Sequence, residues 1–297
     1  MLSGACTLTF LRRLSLAWID HYGGFRNNAG NNMKVILTGY GKMGRLLEAK
    51  LCERGHIVLA VVDPQYVTDA SPSSLPIVIY PSLRNALDGK PGESLKDADV
   101  VIEFSTPSVA PENLLFLANE KIPVVTGTTG WYDRLPEISN AVLSSGSSLL
   151  WSSNFSLGVN LFYRIACYAA KLMDPFKEYD VAGFETHHNN KADSPSGTAK
   201  NLVDMALGQM TRKKKAVYQT LERKPDADEL HFASLRVGSA PGTHSLIFDS
   251  NADTIEITHT ARNREGFASG AVLAAEWLAA EKRTGIFTMD DVLKDKV

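Results

Sequence analysis

Cysteine is scarce in this chain. There are 3 in 297 residues, Cys6, Cys52 and Cys167, odd in number and far apart. Such a set excludes a disulfide framework and shows no metal-ligand spacing. It points to a reducing compartment, and a cytoplasmic location is expected. Long apolar runs are also missing. None approaches the ~18 residues needed to cross a bilayer, so no membrane partner is expected. Neither sign of charge dominates: 31 Lys+Arg face 33 Asp+Glu, a net charge of −2. A nucleic-acid partner held by bulk charge is thereby excluded, while local positive pockets for small anions are not. What is present is ordinary for a soluble globular protein, 44% hydrophobic and 22% charged. The length suits two domains or one large one, with enough chain to bury a core without staples.

Residues 1–32 read differently from the rest. Leu8, Phe10, Leu11, Leu14, Leu16, Trp18 and Ile19 are apolar, with Arg12 and Arg13 in their midst. A secretory signal places its positive charge before the apolar stretch. Arginines with a single acid, Asp20, fit an organelle transit peptide, but the segment is short and poor in serine. Gly23 to Asn32 reads as loop. The expectation is a disordered extension upstream of a fold that begins at Met33.

An orderly pattern starts there. Lys34 to Thr38 is a short apolar run with β-branched residues, hence a buried strand. It leads into Gly39-Tyr40-Gly41-Lys42-Met43-Gly44, a full G-x-G-x-x-G, followed by Met43, Leu46, Leu47 and Leu51 at helical spacing and by Gly55. A second strand, Ile57 to Val62, ends at Asp63. Strand, glycine loop, helix, strand and acid is the order a dinucleotide needs. Gly39 permits the tight turn, Gly41 lets backbone approach the pyrophosphate, and Gly44 lets helix and strand pack. The helix start offers free N–H groups and a positive dipole end. Asp63 is placed to accept from the adenosine ribose hydroxyls. A carboxylate there repels a 2′-phosphate, so NADH is the preferred cofactor. Lys42 and Arg45 keep NADPH possible.

The alternation continues with strands at Ile77–Tyr80, Asp99–Phe104, Pro123–Thr126 and Ser148–Trp151. Repeated β-α units imply an α/β fold, a Rossmann-type doubly wound parallel sheet. In such sheets ligands bind beyond the carboxyl ends of the strands. Ser105, Thr106, Gly127, Thr128 and Thr129 lie at those ends and join the expected cofactor contacts.

After Trp151 the pattern changes. Leu157 to Met173 reads as a helix with Leu157, Leu161, Ile165 and Tyr168 on one face. Tyr179 to Thr186 is a strand, and a helix runs from about Ser196 to Met210. Strands near Phe232–Val237, Ser245–Asp249 and Thr254–Thr260 precede a last long helix, Ser269 to Ala280. Consecutive strands after a helix point to a second, α+β domain built on an open mixed sheet. The charged stretch Thr211–Glu229 reads as a solvated loop or hairpin. The densest polar stretch runs from Glu185 to Ala199. Its adjacent histidines, His187 and His188, point to opposite sides of an extended chain and make a poor zinc site, so no metal is expected. Acid–base chemistry fits better, because histidine shuttles protons near neutral pH. Lys191 can donate a proton or hold an anion. Ser196, Gly197 and Thr198 open a helix just after Pro195 and present N–H groups, hydroxyls and a dipole end to a carboxylate.

These residues resemble the dihydrodipicolinate reductase family. Its signature, E-[hydrophobic]-H-H-x-x-K-x-D-A-P-S-G-T-A, reads here from Glu185 through Ala199, with Thr186 and Ser194 as the departures. Gly39–Gly44, Glu103-Phe104-Ser105, Gly127–Gly130, Ser153–Asn160, Arg236-Val237-Gly238, Gly242-Thr243-His244 and His259–Phe267 follow the family pattern. The likeness runs from about Met33 to the end. It implies hydride delivery from a nicotinamide to the unsaturated ring of a small cyclic dicarboxylate, giving tetrahydrodipicolinate, in lysine and diaminopimelate biosynthesis. It implies His187 as an acid–base residue and Lys191 as proton donor. His188, Ser196, Gly197 and Thr198 would contact substrate. With Lys42 and Met43 in the glycine loop, Ser153, Asn154 and Phe155 at the domain junction complete the implied cofactor site. The implied organisation is a dinucleotide-binding domain over 33–153, a substrate-binding and oligomerisation domain over 154–270, and a C-terminal helix in 271–297 returning to the first. A homotetramer is the implied assembly. Two other readings stay open on the residues: another Rossmann oxidoreductase acting on a small dicarboxylate, and a regulator that senses NADH without turnover. No cysteine nucleophile stands in the loops, against thioester chemistry. The presence of both His187 and Lys191 speaks against a sensor.

Overall fold

The computed structural model describes residues 32–66, 77–89 and 94–295. Of the extension read at residues 1–32, all but Asn32 lies outside them. The first sheet is built outward from β1 (Lys34–Thr38), whose Val35, Ile36 and Leu37 are all fully buried. Alternate residues face opposite sides of a strand. Val35 and Leu37 accordingly join one core, with Leu47 and Leu51 of α1 (Lys42–Glu53) and Ala271 and Ala275 of α7 (Glu265–Ala280). Ile36 joins the other, with Leu114 and Leu117 of α3 (Ala110–Asn119) and Ile138 and Val142 of α4 (Leu135–Ser145). A strand covered by helices on both faces must be apolar on both, which is why β1 shows no polar alternation.

The neighbours of β1 are β2 (Ile57–Val62) and β4 (Val100–Glu103), both parallel to it. Outside them lie β3 (Val78–Tyr80), followed by the short α2 (Leu83–Leu87), and β5 (Val124–Thr126) with β6 (Ser148–Trp151). The order is β12-β6-β5-β4-β1-β2-β3. It reverses between β4 and β1, the crevice where such sheets bind ligands. The sequence pattern pointed to six of these strands. The seventh, β12 (Gly285–Phe287), is three residues long and too short for a periodic signal. The C-terminal return is thus α7, this edge strand and the short α8 (Met289–Lys294), rather than a helix alone.

The second sheet has the order β11-β10-β7-β9-β8. Its centre is β7 (Asp180–His187), antiparallel to β10 (Thr243–Asp249) and parallel to β9 (Glu229–Arg236). β11 (Thr254–Thr260) closes one edge and β8 (Lys215–Val217) the other. Helices α5 (Leu157–Met173) and α6 (Gly197–Leu207) share a core with these strands: Phe162, Ala166 and Ala170 meet Leu202, Val203, Phe232 and Leu246.

Two sequence expectations change here. The stripe of Leu161, Ile165 and Tyr168 faces outward, and α5 buries Val159, Phe162, Tyr163, Ala166, Ala170 and Met173 instead. Both faces are apolar, and the one with small alanines packs on the other elements. The charged stretch 211–229 is not all solvated loop. It contributes β8, and Lys213 is buried, with Nζ donating to the Glu229 carbonyl at 2.8 Å and pairing with Asp180 at 2.6 Å. The pairing satisfies the charge that the sequence pattern had placed in water.

Candidate active site

The cofactor half of the site is set by close backbone packing. A Cβ on Gly39 would stand 2.3 Å from the Phe104 carbonyl oxygen, and one on Gly44 would stand 2.3 Å from the Gly39 oxygen. Those two glycines are required by the fold. A Cβ on Gly41 would meet only open space. Gly41 is also the N-cap of α1, with no side-chain cap over the first-turn N–H groups. An open cradle at an uncapped helix start is what a pyrophosphate needs, so the residues fit a dinucleotide. Lys42 is exposed beside it, and Met43 packs on the core. Asp63 is buried at the end of β2; Oδ2 accepts from Tyr40 N at 2.7 Å and Oδ1 from Gln65 N at 2.9 Å. It shapes the glycine loop while each oxygen keeps a lone pair for a ribose hydroxyl.

At the ends of β4 and β5 a second carboxylate does the fastening. Glu103 is fully buried and accepts from Thr126 Oγ1 at 2.5 Å, from Ser105 N at 2.9 Å and from the Ser105 hydroxyl. Thr106 and Thr129 are exposed, and Gly127 lies against the Phe104 ring. Thr128 is buried, and its Oγ1 has no hydrogen-bond partner, a second observation that fits a ligand at these strand ends.

The junction links this half to the next. Ser153 is exposed and Phe155 buried, its ring 5.9 Å from Phe104. Asn154 accepts from Ser156 N at 2.9 Å, and its Nδ2 lies 3.4 Å from Thr198 Oγ1 at the start of α6.

Glu185 anchors the other half. It is fully buried on β7. Oε1 accepts from Ser196 N at 2.9 Å, Ser234 Oγ at 2.9 Å and the Arg236 guanidinium at 3.3 Å. Oε2 accepts from the Ser196 hydroxyl and lies 3.2 Å from His187 Nδ1 and 3.4 Å from His244 Nε2. Burial pushes its carboxyl up, but bonds from His244, Ser196 and Ser234 outweigh that and hold it well below the usual range. His187 goes the other way. Burial, partly offset by Glu185, pushes it down to about 4, with His244, Lys191 and Arg236 adding to the fall. It is therefore a neutral imidazole at pH 7, able to accept a proton. Lys191 pairs with Asp193 at 2.7 Å. That contact, with Gly197 N–H at the start of α6, holds the Asp193 carboxyl below its usual range against the opposing effect of burial. His188 is half-buried, with an unpartnered Nδ1.

Ser196 caps α6, its Oγ accepting from Ala199 N at 3.0 Å. Both its donors, N–H and O–H, go to Glu185. The residues the sequence singled out thus divide: His187, Lys191, Gly197 and Thr198 gather at the head of α6, while Ser196 fastens that head to the sheet. Glu103, Glu185, Arg236 and His244 were read as motif members without a role, and Ser234 only as part of a strand. One ligand atom each from Glu185, His187 and His244 lies within 4.8 Å of the others, a grouping a metal could use. Spacing could not reveal it, since His244 comes from a different strand. The carboxylate is already engaged by four donors, one of them cationic, which favours the acid–base use of the cluster.

Family models match both halves of the chain. Residues 33–155 match "Dihydrodipicolinate reductase, N-terminus" and residues 158–293 match "Dihydrodipicolinate reductase, C-terminus". The chain belongs to this family. Among its relatives, the 4-hydroxy-tetrahydrodipicolinate reductase of Christiangramia forsetii is 38% identical over 89% of this chain and 98% of its own. That of Chromobacterium violaceum is 37% identical over 87% and 97%. A dipicolinate-bound dihydrodipicolinate reductase from Paenisporosarcina sp. TG-14 has the same fold, with a TM-score of 0.71, 22% identity, and coverage of 87% of this chain and 98% of that one.

Proposed function

We propose that the chain catalyses the NAD(P)H-dependent reduction of 4-hydroxy-tetrahydrodipicolinate to tetrahydrodipicolinate in lysine and diaminopimelate biosynthesis. Family membership supports the reading. The observation that carries it is the gathering of Lys191 and neutral His187 at the start of α6, which the Asn154–Thr198 contact joins to the segment following β6. Gly39, Gly41, Lys42, Met43, Gly44 and Asp63 would hold the cofactor with Ser105, Thr106, Gly127, Thr128 and Thr129, and Ser153, Asn154 and Phe155 would face its nicotinamide end. When bound, the nicotinamide supplies a hydride to the substrate ring.

The protein's part is to hold a dianion and deliver a proton to the ring atom that receives the electron pair. Gly197 N–H and Thr198 offer donors to one substrate carboxylate, and His188 offers another. Asp193 sits on Lys191 Nζ and the Gly197 N–H; a substrate carboxylate would exchange places with it. Lys191 Nζ, placed against the dianion, is the proton donor. His187 accepts or returns a proton beside it. Ser196 serves through the helix start it fastens.

NADH preference is part of the proposal, with Asp63 as its cause, together with a cytoplasmic homotetramer. The experiment is NADH oxidation with freshly generated product of dihydrodipicolinate synthase. Turnover supports the reading, and its absence overturns it. Titrating both cofactors by fluorescence tests the preference. Asp63→Ala should shift it towards NADPH; an unchanged ratio would show that Lys42 and Arg45 decide the matter.

A further inference from the structure

Ser234, Glu185 and His244 stand directly opposite one another across β9, β7 and β10, in one row over the second sheet. Directly opposed residues on one face of a sheet are near neighbours. The row ends beneath the head of α6. There Ser196 N–H and O–H both reach down to Glu185, and Ser196 Oγ lies 3.3 Å from His244 Nε2. The rings of His187 and His244 meet edge to face, with centroids 5.0 Å apart. Arg236 lies 3.3 Å from Glu185 and donates to the Asp193 carbonyl at 2.6 Å, tying down the loop that carries Lys191. One buried carboxylate therefore touches the helix start that meets substrate, the acid–base histidine, a second histidine and the anchor of the lysine loop.

We propose that Glu185 is a positioning residue of the reduction: it fastens the helix start and the lysine loop around His187 and sets a fixed negative charge against that ring, with His244 on the ring's other side. The inference rests on the reductase reading for its kinetic consequence and on the groups packed around His187 for its electrostatic one. Oε2 lies 3.2 Å from Nδ1 without completing a hydrogen bond, so the carboxylate acts there as a charge, which favours the N–H on that nitrogen and leaves Nε2 as the acceptor. Nε2 faces the backbone of Gly242, where an added Cβ would come within 3.0 Å. The charges facing His187 are Glu185 on its own strand, His244 on β10, Arg236 on β9 and Lys191 in the loop. Only Glu185 among these attracts a proton to His187. The other three oppose it. Removing Glu185 and removing His244 should therefore move the titration of His187 in opposite directions.

Glu185→Gln keeps the shape and removes the charge; His244→Gln keeps a hydrogen-bond donor and removes the imidazole ring. Imidazole NMR titration would follow His187, assigned by its loss in His187→Asn, alongside kcat and KM against pH. The apparent pKa of His187 should fall in Glu185→Gln and rise in His244→Gln. Misorientation near the reacting atoms can cost about 10²-fold. A kcat drop of about that size is expected for Glu185→Gln, with the affinity for NADH unchanged. A merely structural glutamate would lower stability and yield without moving either titration. If Glu185→Gln does not fold, His244→Gln and Ser234→Ala decide: a His187 titration unmoved in His244→Gln and a kcat unchanged in both variants overturns the proposal. Lack of turnover by the unaltered protein would sink the reductase reading alone, since the NMR titration stands without it.

Discussion

Each sheet carries one fully buried glutamate close to the carboxyl end of a strand, Glu103 on β4 and Glu185 on β7. Both gather a serine from the loop that follows, taking its N–H and its hydroxyl together. There the likeness ends. Glu103 is completed by Thr126, so its three donors are neutral. Glu185 is completed by Ser234, by the Arg236 cation and by two histidines. The first carboxylate shapes two strand ends of the proposed cofactor site. The second places a charge beside the proposed acid–base pair. A buried acid therefore marks both halves of the site, but only its neighbours reveal whether shape or charge is being used.

The largest effect expected is on the charged side. Lys191→Ala should lower kcat by about 10²–10⁴-fold, the usual contribution of positioned proton transfer, and raise KM through the lost cation. NADH binding should stay within about twofold of the parent, as the lysine lies in the second half. Steady-state kinetics beside fluorescence titration would check it. Loss of NADH affinity instead would break the division of labour between the sheets. A smaller effect belongs to Glu103→Gln, which sets an amide N–H₂ against donors that need an acceptor. Denaturant unfolding should show a loss of about 1–3 kcal/mol, with weaker NADH binding and an unmoved pH profile. A shifted profile would show that Glu103 also acts through charge. The smallest effects come from Thr126→Val and Ser234→Ala, which each remove one hydroxyl from one glutamate. Each should reduce stability by about 1 kcal/mol. Only Ser234→Ala should lower turnover, and the reverse order would undo the comparison.

Much of this arrangement is legible in the chain, for local reasons. Gly39, Gly41, Gly44 and Asp63 lie close together between two apolar runs, so a short window contains the whole cofactor motif. Lys191 and Gly197–Thr198 are likewise read from one loop. The row Ser234–Glu185–His244 is not, because three strands distant along the chain supply it and register alone brings them together. The outward stripe of Leu161, Ile165 and Tyr168 misleads for a different reason. Period reveals that a helix has an apolar face, but Ala166 and Ala170, weak in hydrophobicity, allow the closer approach. The free hydroxyl expected of Ser196 fails in the same way: its partner, Glu185, is local in the motif, yet only the fold shows that it takes both donors.

The return of the chain to its first sheet has a consequence for synthesis. β12 completes the edge beside β6, and α7 supplies Ala271, Ala274 and Ala275 to the core beneath β1. Glu276 of α7 clasps Arg54 at 2.6 and 2.8 Å and His56 at 2.7 Å, next to α1. A nascent chain that has emerged only as far as the glycine loop and its strands therefore has α1 on that face but lacks α7, so the core around Val35, Leu37 and Val61 is only partly covered. The cofactor half cannot close until α7 and β12 have been made, so the part that reads as the first domain is sealed only after the second sheet has been synthesised.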